Sequence, residues 1–255
     1  MIDSVIFDID GIIIDVSESY RQAIRLTAEK FLKKNVSKGE VSEIKKIAGF
    51  NNDWDATYTL VCLLEKNILT EEFREKIKKP TEEDRESEKY KELFEIFQAK
   101  YLGEKLYKEI YKKEPVMKEK GLINKEKLMI PQKVFRKLKE EFILGIVTGR
   151  PRKETEYSLR LNSLQEFFDF NKIVCMEDTK KGKPDAEPLL LACKRIECKN
   201  AVYIGDSVSD VLAAKAAKMK SIYLGKQKLG NLTIKKIEDL MEGIKWLKSE
   251  KQFRK

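Results

Sequence analysis

From residue 131 onward, short β-branched runs alternate with stretches of helical periodicity, and that alternation leaves few folds open. Helices are predicted over 131–141, 152–162, 186–198, 208–218 and near 234–247. Between them, 142–148, 172–176, 201–204 and 221–224 read as strands. Residues 3–9, Asp-Ser-Val-Ile-Phe-Asp-Ile, add one more apolar, β-branched strand at the start of the chain. Strand alternating with helix is the pattern of a parallel sheet covered on both faces, so the expected class is α/β.

Between these parts the texture changes. From about Ser17 to Glu114, apolar residues recur at helical spacing within charged stretches: Ala23, Ile24, Thr27 and Phe31, then Leu60, Val61 and Leu64, then Leu93, Phe94, Phe97 and Tyr101. Thr81 with Asp84 fits a helix N-terminal cap. The expected organisation is an α/β core made of residues 1–15 and 130–255, interrupted by a helical domain over 16–129.

Composition removes several chemistries. The chain holds no histidine, which excludes Ser-His-Asp and Cys-His catalysis and His-ligated zinc. The four cysteines include no C-x-x-C pair. Cys193 and Cys198, five apart on an expected helix, share no face well, so four ordinary thiols in a reducing compartment are expected. With 42% hydrophobic and 37% charged residues the chain is globular rather than disordered. No apolar run approaches the roughly 18 residues of a membrane span, and the opening Met1-Ile2-Asp3-Ser4 lacks a basic leader region; a cytoplasmic protein is expected. The net charge of +9 comes from basic residues interleaved with acids on helices, as in Glu72-Phe73-Arg74-Glu75-Lys76. That is a solvated, lysine- and glutamate-rich surface of the kind found in thermophiles, not a nucleic-acid stripe. Neither a nucleic acid nor a membrane is expected as partner.

The strand ends carry the chemistry. The first ends in Asp8-Ile9-Asp10-Gly11 and the second in Thr148-Gly149-Arg150. The loop after the third holds Lys183 between Gly182 and Pro184, and the fourth ends in Gly205-Asp206-Ser207-Val208-Ser209-Asp210. In a parallel sheet these positions share the carboxyl edge, where sites of such folds lie. Asp8, Asp10, Asp206 and Asp210 would repel one another at one rim unless a cation sat among them. Oxygen-only ligation points to a hard ion, Mg²⁺ first. Thr148, the Gly149 N–H and Lys183 complete a cradle for a phosphoryl group. Arg150, followed by Pro151, reads equally as a substrate contact or a surface residue. Gly225–Gly230 resembles a P-loop but lacks its Lys and Ser/Thr, and reads as a turn.

These four segments, in this order, resemble the haloacid dehalogenase-like superfamily, whose D-x-D-G, Thr/Ser, Lys and G-D-x-x-x-D motifs they match. The resemblance implies a three-layer Rossmann-like core and phosphoryl transfer through an aspartyl-phosphate. It makes Asp8 the nucleophile and a Mg²⁺ ligand. Asp10 becomes the acid and base, and a ligand through its carbonyl. Thr148, Gly149 and Lys183 are then phosphate-binding, Asp206 a direct Mg²⁺ ligand, and Asp210 a second layer behind the metal or on the lysine. The insertion resembles the family's C1-type helical cap, enlarged. Arg21, Asn51 and Asn52 are its candidate substrate contacts, set against helix capping and packing as the plainer reading. The expected activity is a Mg²⁺-dependent phosphatase for a small phosphorylated metabolite, as monomer or homodimer. A phosphomutase, a 2-haloacid dehalogenase and a non-catalytic binding protein stand as alternatives. Asp10 argues against the dehalogenase, and the filled catalytic positions argue against the last.

Overall fold

The computed structural model describes residues 2–47, 50 and 52–249. In chain order the elements begin with β1 (Ser4–Phe7), β2 (Ile14–Asp15), α1 (Tyr20–Leu32), α2 (Lys38–Lys46) and α3 (Asp53–Glu65). They continue with α4 (Phe73–Lys76), α5 (Glu82–Glu86), α6 (Glu88–Tyr111), β3 (Lys127–Leu128), α7 (Gln132–Glu141), β4 (Ile143–Ile146) and α8 (Arg152–Leu161). After these come α9 (Glu187–Ile196), β5 (Ala201–Gly205), α10 (Val208–Ala216), β6 (Lys220–Leu224), β7 (Leu232–Ile234) and α11 (Leu240–Ser249). The chain divides into two compact units, residues 1–15 with 127–255, and residues 16–126.

The first unit is built on a five-stranded sheet in the order β4-β1-β5-β6-β7. Every pairing in it is parallel, with Ser4 opposite both Ile143 and Ala201. β1 is an interior strand and fully buried, which is why its sequence is apolar without alternation. Its successive side chains still serve opposite faces. Ile6 packs with Leu189, Ala192 and Ile196 of α9 and with Ala213 and Ala214 of α10. Phe7 meets Phe135 of α7 and Phe168 edge-on, at 5.7 and 6.2 Å between ring centres. Helices therefore cover both faces, and the fold is the three-layer α/β arrangement expected. The short antiparallel pair β2–β3 lies where the chain leaves this unit and returns to it.

Three local expectations are corrected. Residues 172–176 form no strand; only Val174 bridges to Val147, parallel. The Ile173 carbonyl is taken by Arg152 and Arg195 side chains instead of a neighbouring strand. Ile234 ends β7 rather than opening the last helix, because Leu232–Ile234 pairs with β6 before the helix begins at Leu240. Cys193 and Cys198 are joined in a disulfide, with Cα atoms 4.9 Å apart. The helix that would have held them on different faces ends first. Glu197 takes a left-handed conformation (φ 58°), and the Cys198 N–H returns to the Cys193 carbonyl at 2.9 Å. That helix-stop geometry brings the two side chains together.

In the second unit, α1, α3 and α6 pack around an aromatic group in which Tyr20 stacks on Tyr101 at 4.1 Å. The buried Glu126 accepts from the Ser19 and Tyr101 hydroxyls, both at 3.1 Å. α2 and α5 start in capping boxes, Ser37 with Glu40 and Thr81 with Asp84. α6 is broken by Gly103 (φ 73°, ψ 170°), where the backbone passes against Gly121. Among the described residues no helix is long and apolar enough to cross a membrane.

Candidate active site

Asp8 follows directly on β1, and its N–H continues the ladder to the Ile204 carbonyl at 2.9 Å. Its carboxylate is thus delivered to the sheet edge by a strand paired on both sides. Lys183 reaches it from the loop before α9, Nζ to Oδ1 at 2.9 Å, with both side chains almost wholly buried. That loop is shaped by its own polar groups: the Glu187 carboxylate accepts the N–H groups of Lys180 and Lys181, and Asp185 N–H bonds to the Gly182 carbonyl. Lys183 also contacts Asp210 Oδ1 at 2.7 Å.

Asp210 sits in the first turn of α10, where Ser207 caps the helix and bonds back to it in a capping box. Gly205 presses against its side chain, so closely that any Cβ there would collide with it. Asp206 leaves the end of β5 and lies against Gly11, whose φ of 73° turns the chain after Asp10. A Cβ at Gly11 would stand 2.1 Å from Asp206 Oδ2. Only glycine satisfies both the turn and this close approach. Carboxylate oxygens of Asp8, Asp206 and Asp210 lie within 4.8 Å of one another, a spacing able to hold a metal ion.

Thr148, buried, lies one residue beyond Val147, whose N–H bonds to the Phe7 carbonyl. Its hydroxyl therefore belongs to the strand end beside Asp8, and it accepts the Arg150 N–H at 3.2 Å. Gly149 is exposed, with open space where a side chain would be. Asp10 is half-buried, and its carboxylate pairs with Arg150.

The other sequence-predicted residues are in the inserted unit. Arg21 is exposed in the first turn of α1. Asn52 caps α3, its side-chain oxygen accepting from the Trp54 and Asp55 N–H groups, which is the plainer of its two readings. Asn51, with Gly49, lies outside the described residues.

Two contributors were not assigned to the site from sequence. Tyr203, in the middle of β5, places its hydroxyl 3.0 Å from both Lys183 Nζ and Asp210 Oδ1. One phenol in a strand buried on both faces must find a polar partner, and that was the available signal. Arg150 is neither on the surface nor open to solvent; only 1% of it is exposed.

The electrostatics follow from burial and charge. Burial, with the like charges of Asp210, Asp10 and Asp206 adding to it, holds the Asp8 carboxyl well above the usual carboxylate range despite Lys183. For Asp210 the same burial is outweighed by the Lys183 ammonium and by hydrogen bonds from Ser207, so its carboxyl is held low. Lys183 is desolvated too, yet Asp210 and Asp8 keep it firmly protonated. Among the described residues, Asp8, Asp10, Asp206 and Asp210 gather at this rim against Lys183 and Arg150, an excess of acidic groups that a divalent cation would balance.

Residues 131–224 match the family described as Haloacid dehalogenase-like hydrolase. The chain is 30% identical over 220 residues to an imidazoleglycerol-phosphate dehydratase of Phytophthora nicotianae, covering 85% of this chain and 42% of that protein. It is 39% identical over 85 residues to the pyrophosphatase PpaX of Bacillus velezensis, covering 32% of this chain and 38% of the relative. The chain thus spans about two fifths of the length of these curated relatives. Among solved structures, the phosphatase Tt82 from Thermococcus thioreducens superposes with a TM-score of 0.68 at 26% identity, over 94% of this chain and 99% of that one.

Proposed function

Since the chain belongs to the haloacid dehalogenase-like hydrolases, we propose that it is a Mg²⁺-dependent phosphatase for a small phosphorylated metabolite, working through a phosphorylated Asp8. The observation that carries this reading is the convergence of Asp8 after β1, Lys183 from the loop before α9, and Asp206 and Asp210 from the junction of β5 and α10. Asp8 Oδ attacks phosphorus, and the bond from phosphorus to the leaving oxygen breaks. Asp10 gives that oxygen its proton. In the second half Asp10 takes a proton from water, the water oxygen attacks phosphorus, and the Asp8–phosphorus bond breaks to release inorganic phosphate. Lys183 balances charge on Asp8 and on the phosphoryl oxygens, while Thr148 and the Gly149 N–H hold those oxygens. Asp8, Asp206 and the Asp10 carbonyl would hold the metal, and Asp210 would hold Lys183. When bound, the ion would neutralise the phosphoryl group and the carboxylate rim.

The test is phosphate release from a panel of phosphorylated metabolites and pyrophosphate, with Mg²⁺, by the natural chain and by Asp8→Asn. The variant is expected to lose roughly a thousandfold or more in rate while keeping its circular dichroism spectrum. Turnover at the natural rate in Asp8→Asn would remove the covalent route.

A further inference from the structure

Among the described residues Arg150 is the largest side chain buried to this depth, and a guanidinium taken out of water is costly unless it is paired. One partner is Asp10, 140 residues away in sequence. Nε lies 2.7 Å and Nη2 2.5 Å from the same carboxylate oxygen, Oδ1. Its backbone is fixed at both ends, the N–H to the Thr148 hydroxyl at 3.2 Å and the carbonyl to the Met176 N–H at 3.0 Å. Pro151, next in the chain, precedes the first turn of α8. The guanidinium is therefore a rigid fork projecting from one strand end onto the carboxylate of another.

We propose that Arg150 is a positioning residue for Asp10: by gripping Oδ1 it fixes the plane of the carboxyl and reserves Oδ2 for proton exchange with the leaving oxygen. This rests on the reading of Asp10 as acid and base given above. A carboxyl on a turn rotates freely, and proton transfer in the transition state needs hydrogen-bond reach and alignment. The Nε hydrogen bond, with the charge of Nη2 close against the same oxygen, supplies that alignment. A lysine, with a single point charge, would supply attraction without the plane.

The signature of such a role is a dependence on the leaving group. The experiment measures kcat/KM, which reports phosphorylation of Asp8, for alkyl phosphates and for an aryl phosphate whose alcohol leaves unprotonated. Arg150→Gln is expected to lose at least tenfold more on the alkyl esters than on the aryl ester. Asp10→Asn is expected to show the same bias more strongly, and the double variant to lose no more than Asp10→Asn alone. Arg150→Lys, which keeps the charge, should show the bias in reduced size, and it decides the matter if Arg150→Gln does not fold. Equal losses on both ester classes, or further loss in the double variant, would overturn the proposal. If the natural chain released no phosphate from any ester, the phosphatase reading itself would fail, a different result from the loss of bias.

Discussion

At the scale of single residues, Asp178 shows what charge contributes away from the reaction. Its carboxylate pairs with Arg152 and Arg195 and accepts the Cys175 N–H, tying the segment after Val174 to α8 and α9. Burial would raise its pKa, but the Arg195 and Cys175 hydrogen bonds and the charge of Arg152 bring it from 3.8 to about 2. The folded state thus binds fewer protons than the unfolded chain between these values. Its contribution is complete above about pH 4 and is lost as the pH falls toward 2, on the order of 2 kcal/mol in all. Asp178→Asn should therefore cost about that much in denaturant unfolding at pH 7, and much less at pH 2. A cost independent of pH would refute the linkage. Neither this cluster nor the Arg150–Asp10 pair was legible in the sequence, because each joins side chains far apart in the chain. Asp8, Lys183, Asp206 and Asp210 stood out because they fall at the ends of successive strand patterns. Cys193 and Cys198 were misread because nothing at Glu197, neither glycine nor asparagine, announces a left-handed stop.

Among elements, α6 carries the clearest liability. Gly103 occupies a backbone region that other residues essentially do not enter, and a Cβ there would stand 2.2 Å from the Gly121 nitrogen. Gly103→Ala is expected to destabilise the inserted unit by about 3 kcal/mol from strain and clash together. Gly39→Ala is the control. It lies in α2, its Cβ would meet nothing closer than 3.6 Å, and it should gain roughly 0.5–1 kcal/mol. Chemical unfolding of both variants checks the pair, and equal effects would contradict the assignment. The periodicity of α6 was read from sequence, but its break was not, since the reason for it is the approach of Gly121 from a later turn. The β7 strand was missed on similar grounds: three residues acquire strand character only from β6 beside them.

For the whole molecule, the parallel sheet sends every strand's carboxyl end to one edge, so charge accumulates there and a bound cation should report on folding. A ligand that binds only the folded state at a hundred times its dissociation constant stabilises by about 2.7 kcal/mol. In a chain of this length that is a rise of roughly 5–10 °C in the melting of the α/β unit. Mg²⁺ should produce such a rise, chelator should reverse it, and Asp206→Asn should abolish it. An undiminished rise in that variant would place the ion elsewhere. The position of β1 has a further consequence, one of timing. Ser4–Phe7 lies between β4 and β5, yet Ala201 emerges from the ribosome only after nearly two hundred more residues. At about 5–20 residues per second, β1 waits roughly 10–40 s for its second neighbour. During that interval a nascent chain of this design depends on chaperones, or on its own helical middle, to keep that segment from aggregating.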